Sequence, residues 1–400
     1  MQFFRLLFSL YIPLLICSLC STTVYVSAQD QTTEESPSKR KDQLLAVPII
    51  SYSPETNFVF GALGGYYFDL AQGDTAARMS QIQLITAYST NGQLNFRPGW
   101  ELITKNENYI FRGKISIARF PDKNYGIGNE ADVLLIDFED GASETLNYLR
   151  YTVDRYSLQS SFLKKIAPHF YAGLQVELEN VYNYKPLADS LQYLSAQNEI
   201  EQLPIAGFRI GAGFNVSYDS RTNTLNPLDG SFVELRTVLF GKWLGSDYQY
   251  NSISLDARKY INTINDHTLA LQLFINHNYP QNGSKIPLRG LAQLGGTDLI
   301  RGYRKGTFQD NSLSAAQIEY RMPIWKFIGI VGFAGIGQVY EKPSDWQLDR
   351  FKTGVGGGVR FMISKRQRIN FRIDYALGLD QNSDVGKAQS GFYLFVGEAF

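Results

Sequence analysis

The sequence predicts an all-β fold, a transmembrane antiparallel β-barrel of about sixteen strands. Side-chain polarity alternates with a period of two about sixteen times between Leu44 and Phe400, as strands that face lipid and lumen in turn require. After the first 28 residues no apolar run is long enough for a helical membrane span. Charged residues make up 19% of the chain, whereas soluble domains usually carry about 25%. A soluble β-sandwich or soluble barrel is the alternative.

The alternation is clearest in two segments, residues 170–179 and 369–377. In the first, Leu174 and Val176 are apolar whereas Gln175 and Glu177 are polar. Inside a bilayer every backbone N–H and C=O group has to be paired within the protein, so a membrane-spanning sheet must close on itself. The pattern therefore predicts a closed barrel.

The expected strands are 44–53, 58–68, 79–89, 93–104, 108–119, 149–165, 168–183, 205–218, 231–242, 247–262, 268–279, 312–322, 327–339, 351–363, 368–379 and 390–400. An even number of strands returns the chain to the side on which it started. The long segments 120–148, 184–204 and 280–311 follow the fifth, seventh and eleventh strands, so all three are expected on the extracellular side.

The N-terminus predicts secretion. Arg5 precedes an apolar stretch at residues 6–20, and Val26-Ser27-Ala28 has the small-residue pattern of a cleavage site. We interpret residues 1–28 as a secretory signal peptide, residues 29–43 as a short disordered periplasmic leader and residues 44–400 as the barrel domain.

Composition excludes several function classes. The two cysteines, Cys17 and Cys20, fall within the signal peptide, so neither a disulfide framework nor a cysteine metal site is expected in the mature protein. The chain has 38 basic and 38 acidic residues and no long basic run, which argues against nucleic-acid binding. We expect no cofactor.

An enzyme is not expected either. The three histidines, His169, His267 and His277, have no serine-nucleophile or two-histidine metal motif beside them. Gly354 and Gly356–Gly358 could suggest a phosphate-binding loop, but they run into a strand with no helix following. These glycines are expected to permit barrel curvature or to leave space in the lumen for a loop.

Charged residues of both signs are expected to face the lumen, which favours a salt-bridged, loop-filled interior over a selective channel, whose pore would carry one sign. They are Glu234, Arg236, Asp256, Arg258, Arg372 and Asp374.

The segment Ile300-Arg301-Gly302-Tyr303 resembles the Val-Arg-Gly-Phe/Tyr motif in the sixth extracellular loop of the BamA/TamA superfamily of outer-membrane assembly barrels, also called bacterial surface antigens. Five predicted strands follow the motif, as in that family. Residues 218–223 and 226–231 are similar to its Tyr-Asp-x-Arg element and Pro-x-x-Gly turn, and the C-terminus, with Gly397 and Phe400, is similar to its terminal strand signal.

The resemblance implies that the sixth loop folds inward and that Arg301 pairs with carboxylates on the twelfth and thirteenth strands. Glu319 occupies the matching place on the twelfth strand, but Gly335 replaces the aspartate of the thirteenth. Only half of this clamp is therefore expected. The alternative is an ordinary exposed loop with a solvated Arg301.

Assembly factors of this family carry periplasmic polypeptide-transport-associated (POTRA) domains before the barrel. About fifteen residues separate Ala28 from the first strand, too few for such a domain, so the resemblance implies a form that lacks them. The implied function is to assist insertion, assembly or export of outer-membrane proteins or other envelope components, through a seam between the first and last strands that Gly397 weakens.

The expected location is the outer membrane of a Gram-negative bacterium. Expected partners are outer-membrane lipid and other outer-membrane proteins or a periplasmic or assembly-machine partner, with no nucleic acid. Two other functions stay open, an accessory or structural subunit that displays its loops as a surface antigen, and a passive pore.

Overall fold

The chain forms a closed antiparallel β-barrel of sixteen strands. The computed structural model describes residues 42–53, 56–71, 78–129, 134–137, 143–146, 149–186, 204–365, 368–379 and 390–400. The proposed signal peptide and nearly all of the proposed leader lie outside the described residues. The predicted sixteen-stranded barrel is confirmed.

The barrel strands follow one another around the wall in chain order. They are β1 Gln43–Ser53, β2 Asn57–Phe68, β3 Ser80–Ser89, β4 Leu94–Ile103, β5 Tyr109–Asn124, β6 Leu149–Ala167, β7 Phe170–Pro186, β8 Gly207–Asp219, β9 Gly230–Phe240, β10 Tyr250–Asn262, β11 Thr268–Pro280, β12 Ser312–Trp325, β13 Ile328–Tyr340, β14 Lys352–Ser364, β15 Ile369–Gly378 and β16 Ser390–Val396. In the described part of the chain, no helix is both long and apolar enough to cross a membrane.

Side chains along each strand alternate between an exposed and a buried face. On β7, Leu174 is 60% exposed whereas Gln175 is 5% exposed, and on β15 Tyr375 is 43% exposed whereas Asp374 is fully buried. The apolar residues face outward and the polar residues face the barrel interior. This inverted arrangement suits a wall that meets hydrocarbon on its outer surface.

The seam that closes the barrel has much less strand pairing than the other junctions. All eleven residues of β1 have partners on β2, whereas β1 and β16 pair at one position, Tyr52 with Leu394. The last strand itself is short, with seven residues from Ser390 to Val396.

The end of the sixteenth strand was predicted wrongly. The expected strand 390–400 stops at Val396, and Gly397 has a φ of +101°, a left-handed backbone that glycine adopts without strain. The Gly397 N–H still donates to the Asn370 carbonyl at 2.8 Å. Residues 398–400 then leave the wall, and Ala399 and Phe400 are buried against Tyr260 and Ala270.

The long connections follow β5, β7 and β11, so they share one end of the barrel. Two of them contain additional strand pairs, residues 134–137 with 143–146 and residues 292–294 with 308–310. The first and third connections also touch each other, because the Gly128 N–H donates to the Gln309 carbonyl at 2.8 Å. At this end loop and strand residues pack into a hydrophobic cluster that includes Tyr151, Val153, Val238, Phe240, Tyr250, Ile286, Leu288 and Leu291.

A charge on the outer wall is expected to destabilise the folded barrel. Val176 faces outward and pairs with Ala212 near the middle of β8. We expect Val176→Arg to lower the free energy of unfolding by about 2–4 kcal/mol, the cost of a charge near the bilayer midplane. Urea-driven unfolding from lipid vesicles measures this loss. Val176→Ala is the control, and an equal loss in both variants would show that Val176 does not face hydrocarbon.

Candidate functional site

The Ile300–Tyr303 motif lies in the connection between β11 and β12, and the side chains of Ile300, Arg301 and Tyr303 are almost fully buried. The backbone turns sharply here, because Ile300 has a φ of 52° and Gly302 a φ of 112°. The turn directs Arg301 toward the inner faces of β12 and β15.

Arg301 forms two ion pairs with buried carboxylates. Its Nη2 lies 2.5 Å from Glu319 Oε2 and its Nη1 lies 2.6 Å from Asp374 Oδ2. The Arg301 guanidinium carbon also lies 3.4 Å from the centre of the Phe333 ring, a cation–π contact from β13. Charge-assisted hydrogen bonds of this kind hold a buried arginine in one position.

The two carboxylates belong to a larger network that we call the charged cluster, Arg301, Glu319, Arg321, Arg360, Asp374 and Glu398. Arg321 Nε lies 2.8 Å from Glu319 Oε1. Arg360 Nη1 lies 2.5 Å from Asp374 Oδ1, and its Nε lies 2.8 Å from Glu398 Oε2. These six residues are three cations and three anions, and a fourth buried cation, Arg372, lies 3.8 Å from Asp374 Oδ2, so each carboxylate of the cluster has at least one cationic partner.

The charged cluster also holds the C-terminal residues. Arg321 Nη2 donates a 3.0 Å hydrogen bond to the Phe400 carbonyl, and Asn370 Nδ2 donates one of 2.6 Å to Glu398 Oε1. These bonds explain why the chain leaves the wall after Val396. Gly397 and Phe400, expected in the terminal strand, lie at the turn and in the buried tail.

The motif contacts two of the last strands through one backbone group and one side chain. The Gly302 N–H donates to Tyr393 Oη on β16 at 3.1 Å, and Tyr303 Oη donates to the Thr353 carbonyl on β14 at 2.9 Å. The motif therefore touches the strand that forms one side of the seam.

The expectation of half a clamp is wrong, because Asp374 supplies a second carboxylate from β15. Gly335 has a different role, to leave space: a Cβ there would lie 2.7 Å from Ile300 Cδ1. A Cβ at Gly354 would lie 2.2 Å from the Arg301 carbonyl oxygen, so β14 also needs glycine where the motif approaches. The sequence had indicated that Asp374 faces the lumen, but not what it meets.

The histidines form no catalytic group in the described structure. His277 Nδ1 contacts Ser312 Oγ, but Ser312 is fully buried and inaccessible as a nucleophile. His169 Nδ1 contacts the Asp219 carbonyl and His267 Nδ1 contacts Tyr320 Oη. Among the described residues no group of three or more His, Cys, Asp or Glu residues is placed to hold a metal ion.

The family follows from a comparison with protein-family models. The model of the Omp85 superfamily domain matches residues 79–400. The chain belongs to the Omp85 superfamily. The resemblance that the loop motif indicated is thus confirmed, and the Omp85 match together with the barrel points to the bacterial outer membrane. No curated protein matches the chain.

Solved structures support the Omp85 barrel fold. BamA from Haemophilus ducreyi lacking POTRA domains 1–3 is similar with a TM-score of 0.56 and 13% identity, over 89% of this chain and 70% of that chain. CdiB from Escherichia coli has a TM-score of 0.54 and 12% identity over 90% and 68%. CdiB from Acinetobacter baumannii has a TM-score of 0.53 and 11% identity over 90% of this chain and 65% of its own length.

Loss of Arg301 is expected to destabilise the barrel strongly. Arg301→Met leaves Glu319 and Asp374 without one of their cations, and removing one partner of a buried ion pair costs about 3–5 kcal/mol. Urea-driven unfolding of Arg301→Met, Glu319→Gln and the double variant is expected to give a coupling energy of about 0.5–3 kcal/mol.

The exposed pair Arg119–Asp154 is the matched control. Its atoms lie 2.8 Å apart, but the Arg119 side chain is 62% exposed, so Arg119→Met is expected to lower the free energy of unfolding far less than Arg301→Met does. Similar losses from Arg119→Met and Arg301→Met, or no coupling between Arg301 and Glu319, would contradict the structural role of the pair.

Asp310, in the connection that carries the motif, is expected to make stability pH-dependent. Burial raises the pKa of Asp310 to about 6, and nearby Glu341 and Asp345 add to the shift while the Asn311 N–H opposes it. Because the folded pKa lies above the unfolded value, protonation stabilises the folded state below about pH 6, and this stability is lost as the pH rises through 6.

The melting temperature of the purified barrel at about pH 5 and about pH 7.5 measures this effect against Asp310→Asn, which cannot titrate. The melting temperature of the wild type, compared with that of Asp310→Asn, should be higher at the lower pH than at the higher pH. A constant difference between the two proteins would contradict the raised pKa.

Proposed function

We propose that this Omp85 barrel assists the insertion or export of outer-membrane proteins or other envelope components, and that its substrates engage the seam between β1 and β16. In this proposal the segment 280–311 is folded inside the lumen, and Arg301 in the charged cluster holds it there. Ile300, Arg301, Gly302 and Tyr303 position the segment, and Glu319 is a partner of Arg301. Gly397 forms the turn that ends the seam strand, and Phe400 anchors the tail that follows it.

The observation that carries the proposal is the weak pairing of the seam. One residue pair, Tyr52 with Leu394, joins β1 to β16, whereas β15 and β16 pair at seven positions. Strand edges with unpaired N–H and C=O groups accept an additional strand by forming main-chain hydrogen bonds. A seam of this kind could open and pair with an incoming strand at low cost.

The contacts of the charged cluster suggest how the loop and the seam are linked. Arg301 reaches Asp374, Arg360 bridges Asp374 to Glu398, and Glu398 follows the turn at Gly397. Release of the tail would therefore remove an anion from the network that holds the loop. On this view the loop stabilises the closed seam and is displaced or loosened when the seam opens.

A reversible cross-link across the seam tests the proposal. Tyr52→Cys with Leu394→Cys places two thiols on directly opposite, outward-facing positions, a geometry that a disulfide can bridge. In cells that depend on this protein, oxidation is expected to lower the outer-membrane levels of several unrelated proteins, and a reductant is expected to restore them. The readout is quantitative proteomics of isolated outer membranes.

The matched control is Ile50→Cys with Phe60→Cys, an outward-facing opposite pair on β1 and β2, where no opening is proposed. Oxidation of this pair should leave the outer-membrane proteome unchanged. Normal levels of all other outer-membrane proteins when the Tyr52–Leu394 pair is fully cross-linked would refute a role for seam opening, and normal levels after depletion of the protein would refute the assembly role itself.

A further inference from the structure

A second site in the barrel interior lies apart from the charged cluster. A cavity of about 600 Å³ is lined by residues of β4 to β9 and β11 and by residues 289–305 of the connection after β11. None of the six residues of the charged cluster lines it. The cavity is large enough for a small polar ligand, since ligand pockets usually measure about 300–1,000 Å³.

The wall of this cavity carries an excess of positive charge. Three carboxylates line it, Glu177, Glu179 and Asp298. Twice as many cations line it, namely Arg97, Lys114, Arg155, Arg209, Arg289 and Lys305. The cations that line this cavity therefore outnumber its carboxylates by three.

Glu179 is a buried carboxylate of this cavity, and its single negative charge does not neutralise the arginines around it. Glu179 lies 2.7 Å from Arg209 and 3.2 Å from Arg155. Arg289 Nε lies 3.6 Å from the same carboxylate. Three guanidinium groups thus converge on Glu179, and Arg289 Nη1 also lies 3.2 Å from Asp122 Oδ2. The Nε atoms of Arg155 and Arg289 are buried without a hydrogen-bond acceptor among the described residues.

Arg97 on β4 and Lys114 on β5 extend the positive surface. Within the described structure no hydrogen bond or ion pair joins either side chain to another residue. They lie on adjacent strands, where Lys114 pairs with Gly99, two residues from Arg97. Two neighbouring cations with free donors are arranged to bind a group with several negative oxygens.

Lys305 shows the same electrostatic imbalance from the loop side. Burial lowers the pKa of the Lys305 ammonium, Asp298 opposes this shift and the nearby Arg289 adds to it. An anion in the cavity would relieve the repulsion between the cations that line it.

We propose that this cavity binds a soluble sugar phosphate. The phosphate oxygens would receive charge-assisted hydrogen bonds from Arg97, Lys114 and the convergent arginines. Ser157, Gln159 and Asn276, which also line the cavity, supply polar groups for sugar hydroxyls. A free sugar phosphate is favoured over a lipid headgroup because the lining is mainly polar, and its few apolar side chains, such as Phe240 and Leu291, offer little surface for acyl chains.

The test is isothermal titration of glucose 6-phosphate into the full barrel in nanodiscs of zwitterionic lipid, with glucose and inorganic phosphate as comparison ligands. Saturable binding of glucose 6-phosphate is expected, weaker binding of inorganic phosphate and none of glucose. Arg97→Gln and Lys114→Gln are each expected to weaken glucose 6-phosphate binding about tenfold, as the loss of one charge-assisted hydrogen bond implies.

Lys242→Gln is the matched control, because Lys242 is exposed in a short turn after β9 and does not line the cavity. Its affinity should equal that of the wild type. Gln159→Lys adds a cation to the lining and should tighten binding, which tests the site even if one charge-removing variant fails to fold. The absence of saturable binding, equal affinity in Arg97→Gln and Lys114→Gln, or binding that requires anionic lipid would overturn the proposal.

Discussion

A chain that crosses hydrocarbon as strands must pair its own backbone N–H and C=O groups, and the rest of this structure depends on that constraint. Pairing closes sixteen strands into a cylinder, and closure assigns alternate side chains to a lipid-facing wall and an enclosed interior. Charged side chains that face the interior then lose water and need partners there. The charged cluster satisfies this need with three arginines and three carboxylates drawn from three strands, a loop and the C-terminal tail.

The interior is not electrostatically uniform. Around Arg301 each carboxylate has a cation within 2.8 Å, so the charges hold the loop, the strands and the tail in place. Around Glu179 the arginines outnumber the carboxylate. The neighbouring Arg97 and Lys114 have N–H groups that no described residue accepts a hydrogen bond from. The region around Arg301 connects structural elements. The region around Glu179 resembles a binding site whose anion comes from outside the chain. The two regions lie in the same barrel interior because different strands of the wall contribute their residues.

Much of the fold could be predicted from the sequence, because the period of two is a local property that each strand carries by itself. Glu319 could be found from its place after the loop motif. Asp374 could not, since it lies 73 residues from Arg301 and meets it across the barrel interior, where neither sequence spacing nor strand order shows the contact. The same limit applies to the tail. A strand was predicted to continue through Phe400, but the residues that follow Val396 accept hydrogen bonds from Arg321 on β12 and from Asn370 on the neighbouring β15.

The glycines at 335 and 354 leave the barrel wall without side chains where Ile300 and Arg301 lie against it. The two glycines therefore mark the places on the wall where the motif residues need space. Glycines of this kind can be recognised in a sequence alone. A related chain that keeps the arginine motif but has bulky residues at both positions would have no space for the motif in this conformation. In such a chain Ile300 and Arg301 could not contact β13 and β14 as they do here.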